Sequence, residues 1–321
     1  MNDTSKPMGG TELHYERLLA AFPEEMAKVQ YISSRPQEYT LEDKPRILHL
    51  HDTAQDPASA CLRDRSYRTN FNRIVCVSHR QAYDYTTFLG IAPSELTVVK
   101  NSVPLLKPTF PKPAGDGRIR FLYTSTPHRG LEILAVVARE LAKQRQDWVL
   151  DVYSSFKLYG SGRAAQDQQF QRVYELLKAN PCVNYHGTQP NDVVRQACLD
   201  AHVLVYPSIY YETSCMVAME AMMAGCLVIT SSLGALPETC GDWAWMFPYS
   251  ENRDHIAQHT YNMMISAIDH YRDASIQTML QLQSSYYQNF YSFEGRAPQW
   301  KALLDLVINE GPREEKLVIY G

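Results

Sequence analysis

YPSIYYETSCMVAMEAMMAGCLVITSSLGALPE, residues 206–238, is the stretch from which the fold of this chain can be read. Pro207 and the aromatic run behind it end a strand, so Glu212 falls in a loop. Residues 215–225, CMVAMEAMMAG, read as a helix with Glu220 inside it, and LVITSS at 227–232 as the next strand. On a single helix the two glutamates would stand about 12 Å apart along the axis. With one in the loop and one in the helix, two carboxylates can meet two parts of an extended ligand. The helix start at Thr213-Ser214-Cys215 offers backbone N–H groups and a positive dipole end, a seat for phosphate or sugar oxygens. The plainer alternative is an acidic cap before an ordinary buried helix, with Glu220 on its wet face.

Outward from this stretch the same alternation continues. RIRFLYTS (118–125), WVLDVYSS (148–155), VNYHGT (183–188) and HVLVYPS (202–208) read as strands, and AWMFPY (244–249) follows the last turn of helix. Between them GLEILAVVARELAKQR (130–145), QFQRVYELLKA (169–179) and NDVVRQACLDA (191–201) carry the helical period. Strands separated by such helices imply βαβ units and a parallel sheet. Upstream, strands are expected in VQYISS (29–34), RILHLHD (46–52), RIVCVSH (73–79) and LTVVKNSV (96–103), with a helix over TELHYERLLAAF (11–22). The segment LLKPTFPKPAGDG (105–117) holds three prolines and two glycines, which reads as an interdomain linker. The expected organisation is a first Rossmann-like domain over 1–106, a linker at 107–117, a second over 118–290 and a C-terminal segment over 291–321. The fold class is α/β, two doubly wound domains facing a cleft. In such sheets ligands bind beyond the carboxyl ends of the strands. The residues there are polar: His51-Asp52, Ser78-His79-Arg80, Asn101-Ser102, Thr126 to Gly130, Ser154-Ser155, and Tyr210 to Ser214.

Composition narrows the function classes. The 321 residues carry 31 Lys and Arg against 35 Asp and Glu, a net charge of −4 that offers no global attraction to nucleic acid. The most apolar run, Cys215 to Ile229, is interrupted by Glu220 and falls short of the roughly 20 residues of a membrane span. MNDTSKPMGG has no apolar core of a secretory signal. Seven scattered cysteines without a CxxC read as reduced intracellular thiols. A cytoplasmic enzyme is the expectation, with peripheral attachment to a membrane left open.

The 206–238 stretch resembles the retaining glycosyltransferases of family 4 (glycosyl transferases group 1), which have the GT-B fold. Their sugar-nucleotide domain carries a Pro-Ser, a Glu, seven residues, a second Glu followed by Ala-Met-Ala-x-Gly, a strand and a Gly…Glu loop. Here these are Pro207-Ser208, Glu212, Glu220-Ala221-Met222-Met223-Ala224-Gly225, LVITSS, and Gly234 to Glu238. The resemblance implies that Glu212 contacts the donor sugar and Glu220 the ribose, with the backbone of Thr213, Ser214 and Cys215 against sugar or diphosphate. Where the family has an aromatic-Gly pair after the first Glu, this chain has Thr213-Ser214. Arg129-Gly130 stands where the family places a basic residue that binds the leaving diphosphate. The family's earlier Arg is replaced by Thr124 and Ser125, and Lys157 is a candidate for the missing charge.

The N-terminal part resembles the family more loosely. Gly9-Gly10 matches its Gly-Gly loop, but only eight residues precede the pair, too few for the usual first strand. Thus the first domain is expected to be shortened. RILHLHDT resembles the strand that ends in His-x-His and implies His51 near the reacting sugar, with Asp52 beside it; His49 is taken to face away and to pack. His79 and Asn101 match acceptor-side strand ends. SFEGRAPQWKALLDLV resembles the helices that return to the first domain, with Trp300 as an anchor.

Other motifs carry less. Gly160 to Ala165 satisfies GxGxxA but lacks the strand spacing and the ribose-binding acid of a nicotinamide site. His255 and His259 lack the glutamate of HExxH. The expected activity is transfer of a sugar from a nucleotide-diphosphate donor, UDP- or GDP-sugar foremost, with no metal and no other cofactor, to a saccharide, lipid-linked or other hydroxyl acceptor. The alternatives are a catalytically degenerate sugar-binding protein and a transferase acting on modified bases of DNA.

Overall fold

The computed structural model describes residues 8–113, 115–159 and 161–314. Gly160, and with it the start of the GxGxxA match, lies outside the described residues. The described residues form two compact units: 10–102 with 293–314, and 103–292, to which Gly9 also belongs.

In the first unit α1 (Gly10–Ala21) and α2 (Pro23–Lys28) precede β1 (Gln30–Ser33) and β2 (Arg46–Leu50). Then come a short α3 (Arg65–Arg68), β3 (Arg73–Cys76), α4 (His79–Leu89) and β4 (Leu96–Val98). The four strands are parallel and lie in the order β1-β2-β3-β4, without reversal. Crossovers of one hand between strands in sequence order fall on one face of a sheet. That face buries Ile32, Leu48, Leu50, Ile74 and Cys76 against Leu62, Phe71, Tyr85 and Leu89. Other helices must cover the opposite face. Ile47 and Val75 there meet Leu18 and Met26 from α1 and α2, and Trp300, Leu304 and Val307 from α13 (Phe293–Glu310). Among the described residues no strand precedes α1.

The second unit runs β5 (Ile119–Tyr123), α5 (Leu131–Ala142), β6 (Trp148–Val152), α6 (Ser161–Ala164), α7 (Gln171–Lys178), β7 (Val183–Tyr185), α8 (Asn191–Asp200) and β8 (Val203–Tyr206). It continues with α9 (Met216–Met223), β9 (Leu227–Ser231), α10 (Leu236–Cys240), β10 (Trp245–Phe247), α11 (Arg253–His270) and α12 (Ala274–Phe290). Its sheet has the order β10-β9-β8-β5-β6-β7, all parallel. Strand order therefore reverses between β5 and β8, and a switch point of this kind opens a crevice beyond the strand ends. α9 is apolar almost all round because it is covered by the sheet and by α12. Carbonyls at and just beyond its end are satisfied from α12: Gln283 Nε2 donates to Met222 O and Cys226 O, and Ser284 Oγ to Met223 O.

The proline-rich segment is not a free linker. Val103 and Leu106 belong to the core of the second unit, and the Phe110 ring occupies the space a Cβ on Gly225 would need. The buried Lys112 ammonium donates to the carbonyls of Cys198, at 2.9 Å, and Ala201, closing the end of α8. Prolines break strand and helix but do not prevent packing, which the apolar residues between them supply. No helix among the described residues is long and apolar enough to cross a membrane.

Candidate functional site

The switch point of the second unit is built from the segments after β5 and β8. After β5, Pro127–Arg129 makes a 3-10 turn and Gly130, at φ +122°, redirects the chain into α5. A Cβ on Gly130 would lie 2.2 Å from the Pro207 carbonyl oxygen, so only glycine lets the two segments touch. The loop after β8 is tied down by Ser231 Oγ, which donates to Ser208 O at 2.6 Å.

These ties bring Arg129 to Glu212. Nη1 of Arg129 donates to Oε1 of Glu212 at 2.8 Å, and the Tyr206 hydroxyl donates to the same oxygen at 2.5 Å. Glu212 is 3% exposed, which leaves the pair partly desolvated. Its backbone is fixed from the other side: Ala235 N–H donates to Glu212 O at 2.7 Å, and Gly234 comes so close that a Cβ would lie 2.5 Å from that oxygen. The Arg129 guanidinium carbon sits 4.2 Å from the centroid of the Tyr210 ring, a cation–π contact. Arg129 and Glu212, both singled out by the family resemblance, are thus one assembly, and the Gly…Glu loop is part of it.

The other residues that the resemblance assigns to the donor are placed unequally. Glu212 lies in the loop and Glu220 inside α9, as the strand–loop–helix pattern required. Glu220 is half-buried; burial first, then Cys226 and the Glu220 carboxylate, hold the Cys198 thiol well above its ordinary range. Thr213 and Ser214 are half-buried, and Ser214 Oγ is buried without a hydrogen-bond partner. Cys215 begins α9 as its N-cap, and burial keeps its thiol protonated. Lys157 is exposed; its neighbour Phe156 is what reaches the site. Gly9 is buried and follows Met8, whose backbone N–H donates to Asn191 Oδ1 at 2.9 Å at the start of α8; Gly10 opens α1.

In the first unit the strand ends carry a histidine cluster. His49 and His51 do not face opposite ways: positions two apart on a strand share a face, and their ring centroids are 4.3 Å apart. His14 of α1 joins them, 5.2 Å from His49 and 6.5 Å from His51, with Trp300 at 5.3 Å. Tyr31 OH bonds His49 Nδ1 at 2.5 Å. Burial, then the neighbouring His51 and Arg17, lowers the His14 pKa to about 3, and burial lowers that of His51 to about 4. The cluster is therefore neutral at physiological pH. His14 and Tyr31 escaped the motif reading, although His14 precedes Leu18 by one helical turn on the buried side of α1.

Of the acceptor-side residues, Asp52 is half-buried and pairs with Arg35 Nε at 3.5 Å. Its backbone N–H and that of His51 donate to Ser34 Oγ at 3.3 and 2.8 Å. His79 is exposed in the first turn of α4, and Asn101 is buried with its Oδ1 unpartnered.

Residues 119–265 match the family model for glycosyl transferases group 1. The matched segment, just under half of the chain, contains Arg129, Glu212 and Glu220. A curated relative from Arabidopsis thaliana, one of the subunits of phosphatidylinositol N-acetylglucosaminyltransferase, is 21% identical over 176 residues. That alignment takes in 54% of this chain and 37% of the plant protein, so the chain spans little more than a third of that relative. Among solved structures, sucrose-phosphate synthase of Thermosynechococcus elongatus aligns with a TM-score of 0.67 at 16% identity, over 92% of this chain and 77% of that one. A glycosyltransferase of Rickettsia africae aligns at 0.67 and 14% identity, over 97% and 85%. The Anabaena protein HepE, solved with UDP-glucose, aligns at 0.62 and 18% identity, over 82% and 72%. The fold is that of GT-B glycosyltransferase structures: α/β, with two parallel-sheet Rossmann-like domains.

Proposed function

We propose that the protein is a retaining glycosyltransferase that moves a sugar from a nucleoside-diphosphate donor to a hydroxyl of a saccharide or lipid-linked acceptor. The observation that carries this reading is the Arg129–Glu212 pair at the β5/β8 switch point, inside the segment that matches the family model. Both groups on Glu212 meet Oε1, so Oε2 is the oxygen available to donor-sugar hydroxyls. Arg129 holds the diphosphate as a preorganised cation in a partly desolvated place. Backbone N–H groups of Thr213 to Cys215 add to it, and Glu220 takes the ribose hydroxyls.

The chemistry follows from these placements. The bond from the anomeric carbon to the β-phosphate oxygen breaks, and its electron pair leaves with the diphosphate. The acceptor oxygen bonds to the same face of that carbon, and its proton passes to the departing phosphate. Arg129 and the amides offset charge on the departing diphosphate, and the reaction is read as needing no metal ion. His51, held neutral, orients a hydroxyl by hydrogen bonding rather than by proton exchange. HepE is solved with UDP-glucose, which makes a UDP-sugar the first donor to test.

The test is thermal unfolding with UDP, GDP, TDP and ADP, each without metal. A ligand bound only to the folded chain at 100 times its Kd adds about 2.7 kcal/mol, so the matching diphosphate should raise the midpoint by about 5 °C. No response from any of the four at millimolar concentration would overturn the reading. With the donor identified, NMR of the product's anomeric proton decides retention against inversion.

A further inference from the structure

The donor site of the second unit is short of positive charge. Thr124 and Ser125 stand where a second basic residue would help to hold a diphosphate, and Arg129 already meets Glu212. The residue next to Arg129 is His128, and its ring is held in an unusual way. It stacks face to face on Phe156, with centroids 5.2 Å apart and planes 14° apart, and it stands edge-on to Tyr210 at 5.4 Å and 88°. Tyr210 is the same ring that lies beneath the Arg129 guanidinium. Two aromatic side chains thus fix the imidazole beside the arginine, from the segments after β6 and β8.

The protonation state follows from the surroundings. Burial, then the charges of Arg129 and Arg163, lowers the His128 pKa to about 4, so the ring is a neutral group with one N–H. Nδ1 is buried without a hydrogen-bond partner. A buried N–H left without an acceptor is rarer and more costly than an unused lone pair. The favoured tautomer therefore leaves Nδ1 bare and carries the proton on Nε2.

We propose that His128 is a second diphosphate-binding group, whose Nε2–H donates to a phosphate oxygen of the bound donor alongside Arg129. The proposal rests on the reading of this unit as a nucleotide-sugar site. A neutral donor suits the place. It stabilises the phosphate without repelling Arg129, whereas a second cation against the same Tyr210 ring would add like-charge repulsion. The stack fixes the ring before the ligand arrives, so little ordering cost falls on binding.

The experiment is calorimetric titration of the full chain with the nucleoside diphosphate that responds in the thermal screen and, separately, with its nucleoside. His128→Phe keeps the stack on Phe156 and removes the donor; His128→Gln restores an N–H at a reach similar to Nε2. The expected result is about tenfold weaker diphosphate binding by His128→Phe, unchanged nucleoside binding, and recovery of most of the loss by His128→Gln. Equal diphosphate affinity in His128→Phe and wild type overturns the proposal. So does an equal loss for diphosphate and nucleoside, which would make the ring a support for the loop only. Wild-type chain that binds the nucleoside but gains nothing from the diphosphate also overturns it. Wild-type chain that binds neither overturns the nucleotide-site reading itself. A second measurement needs no variant. In long-range proton–nitrogen spectra of the wild-type imidazoles, the Nε2–H of His128 should move on adding the diphosphate and stay in place on adding the nucleoside; no movement with either counts against the proposal.

Discussion

Arg129 reaches across 83 residues of sequence to place Nη1 2.8 Å from Oε1 of Glu212, and Tyr206 holds the same oxygen. The carboxylate is buried, so its two partners carry it unequally. Replacing Arg129 with Met leaves a buried carboxylate without its cation, a loss of about 3 kcal/mol or more. Glu212→Gln keeps the shape and the Tyr206 bond and costs less. In urea unfolding, Arg129→Met should therefore lower stability more than Glu212→Gln. Binding divides differently: Arg129→Met should weaken the diphosphate about 100-fold, whereas Glu212→Gln should bind it within a few-fold of wild type and transfer sugar poorly. Equal nucleotide affinity in all three proteins would remove Arg129 from the donor site.

Gly234 supports Glu212 from behind. Its φ is +61°, and a Cβ would lie 2.5 Å from Glu212 O and 2.8 Å from Glu212 N. Gly234→Ala meets a backbone penalty of about 1 kcal/mol and, in addition, pushes on the main chain that aims the carboxylate. Since a misplacement of about 1 Å can cost on the order of 100-fold in rate, transfer should fall far more than the unfolding midpoint does. A variant with full transfer would show that the Gly234 contact does not set the position of Glu212.

Much of this arrangement was legible in the residues. The β-branched runs around 119–123, 148–152 and 227–231 lie in the strands they suggested, because a parallel sheet covered on both faces needs continuous apolar strands. Glu212 and Glu220 separated into loop and helix because Pro207 and the aromatic run mark the end of β8. Three features were not anticipated. The prolines of 105–117 signalled a break in secondary structure but not that Phe110 and Lys112 are packed. His49 was assigned to the wrong face, although a period of two already joins it to His51. His128, Phe156 and Tyr210 come from three separate loops, and no local pattern announces a contact that only the sheet order creates.

The histidine cluster makes the first unit sensitive to acid. The His14 pKa falls from 6.5 to about 3 on folding, because burial, then His51 and Arg17, oppose its charge. The unfolded chain thus binds this proton more tightly than the folded one. The stabilisation is complete above about pH 6.5 and is lost as pH falls from there toward 3, by up to about 1.4 kcal/mol per pH unit. His14→Phe should flatten the fall in the urea midpoint between pH 6.5 and 4.5 by about one proton's worth. An unchanged slope would mean that His14 is charged, or exposed, in the folded protein.

His51 presents the same physics in a functional setting. Its ring lies 4.3 Å from His49, whose Nδ1 is engaged by Tyr31, and burial lowers the His51 pKa to about 4. A residue acting as a neutral hydrogen-bonding group works across the whole range above that value, whereas a general base of ordinary pKa would switch near 6.5. Transfer by the wild-type chain should therefore show no inflection in kcat between pH 5.5 and 7.5. His51→Ala should lower kcat about 100-fold, as loss of a positioned hydrogen-bonding group does, while donor binding, which the proposed function assigns to the second unit, stays as it was. An inflection near 6.5 that disappears in His51→Ala would make His51 a proton carrier instead, and full transfer by the variant would take it out of the reaction.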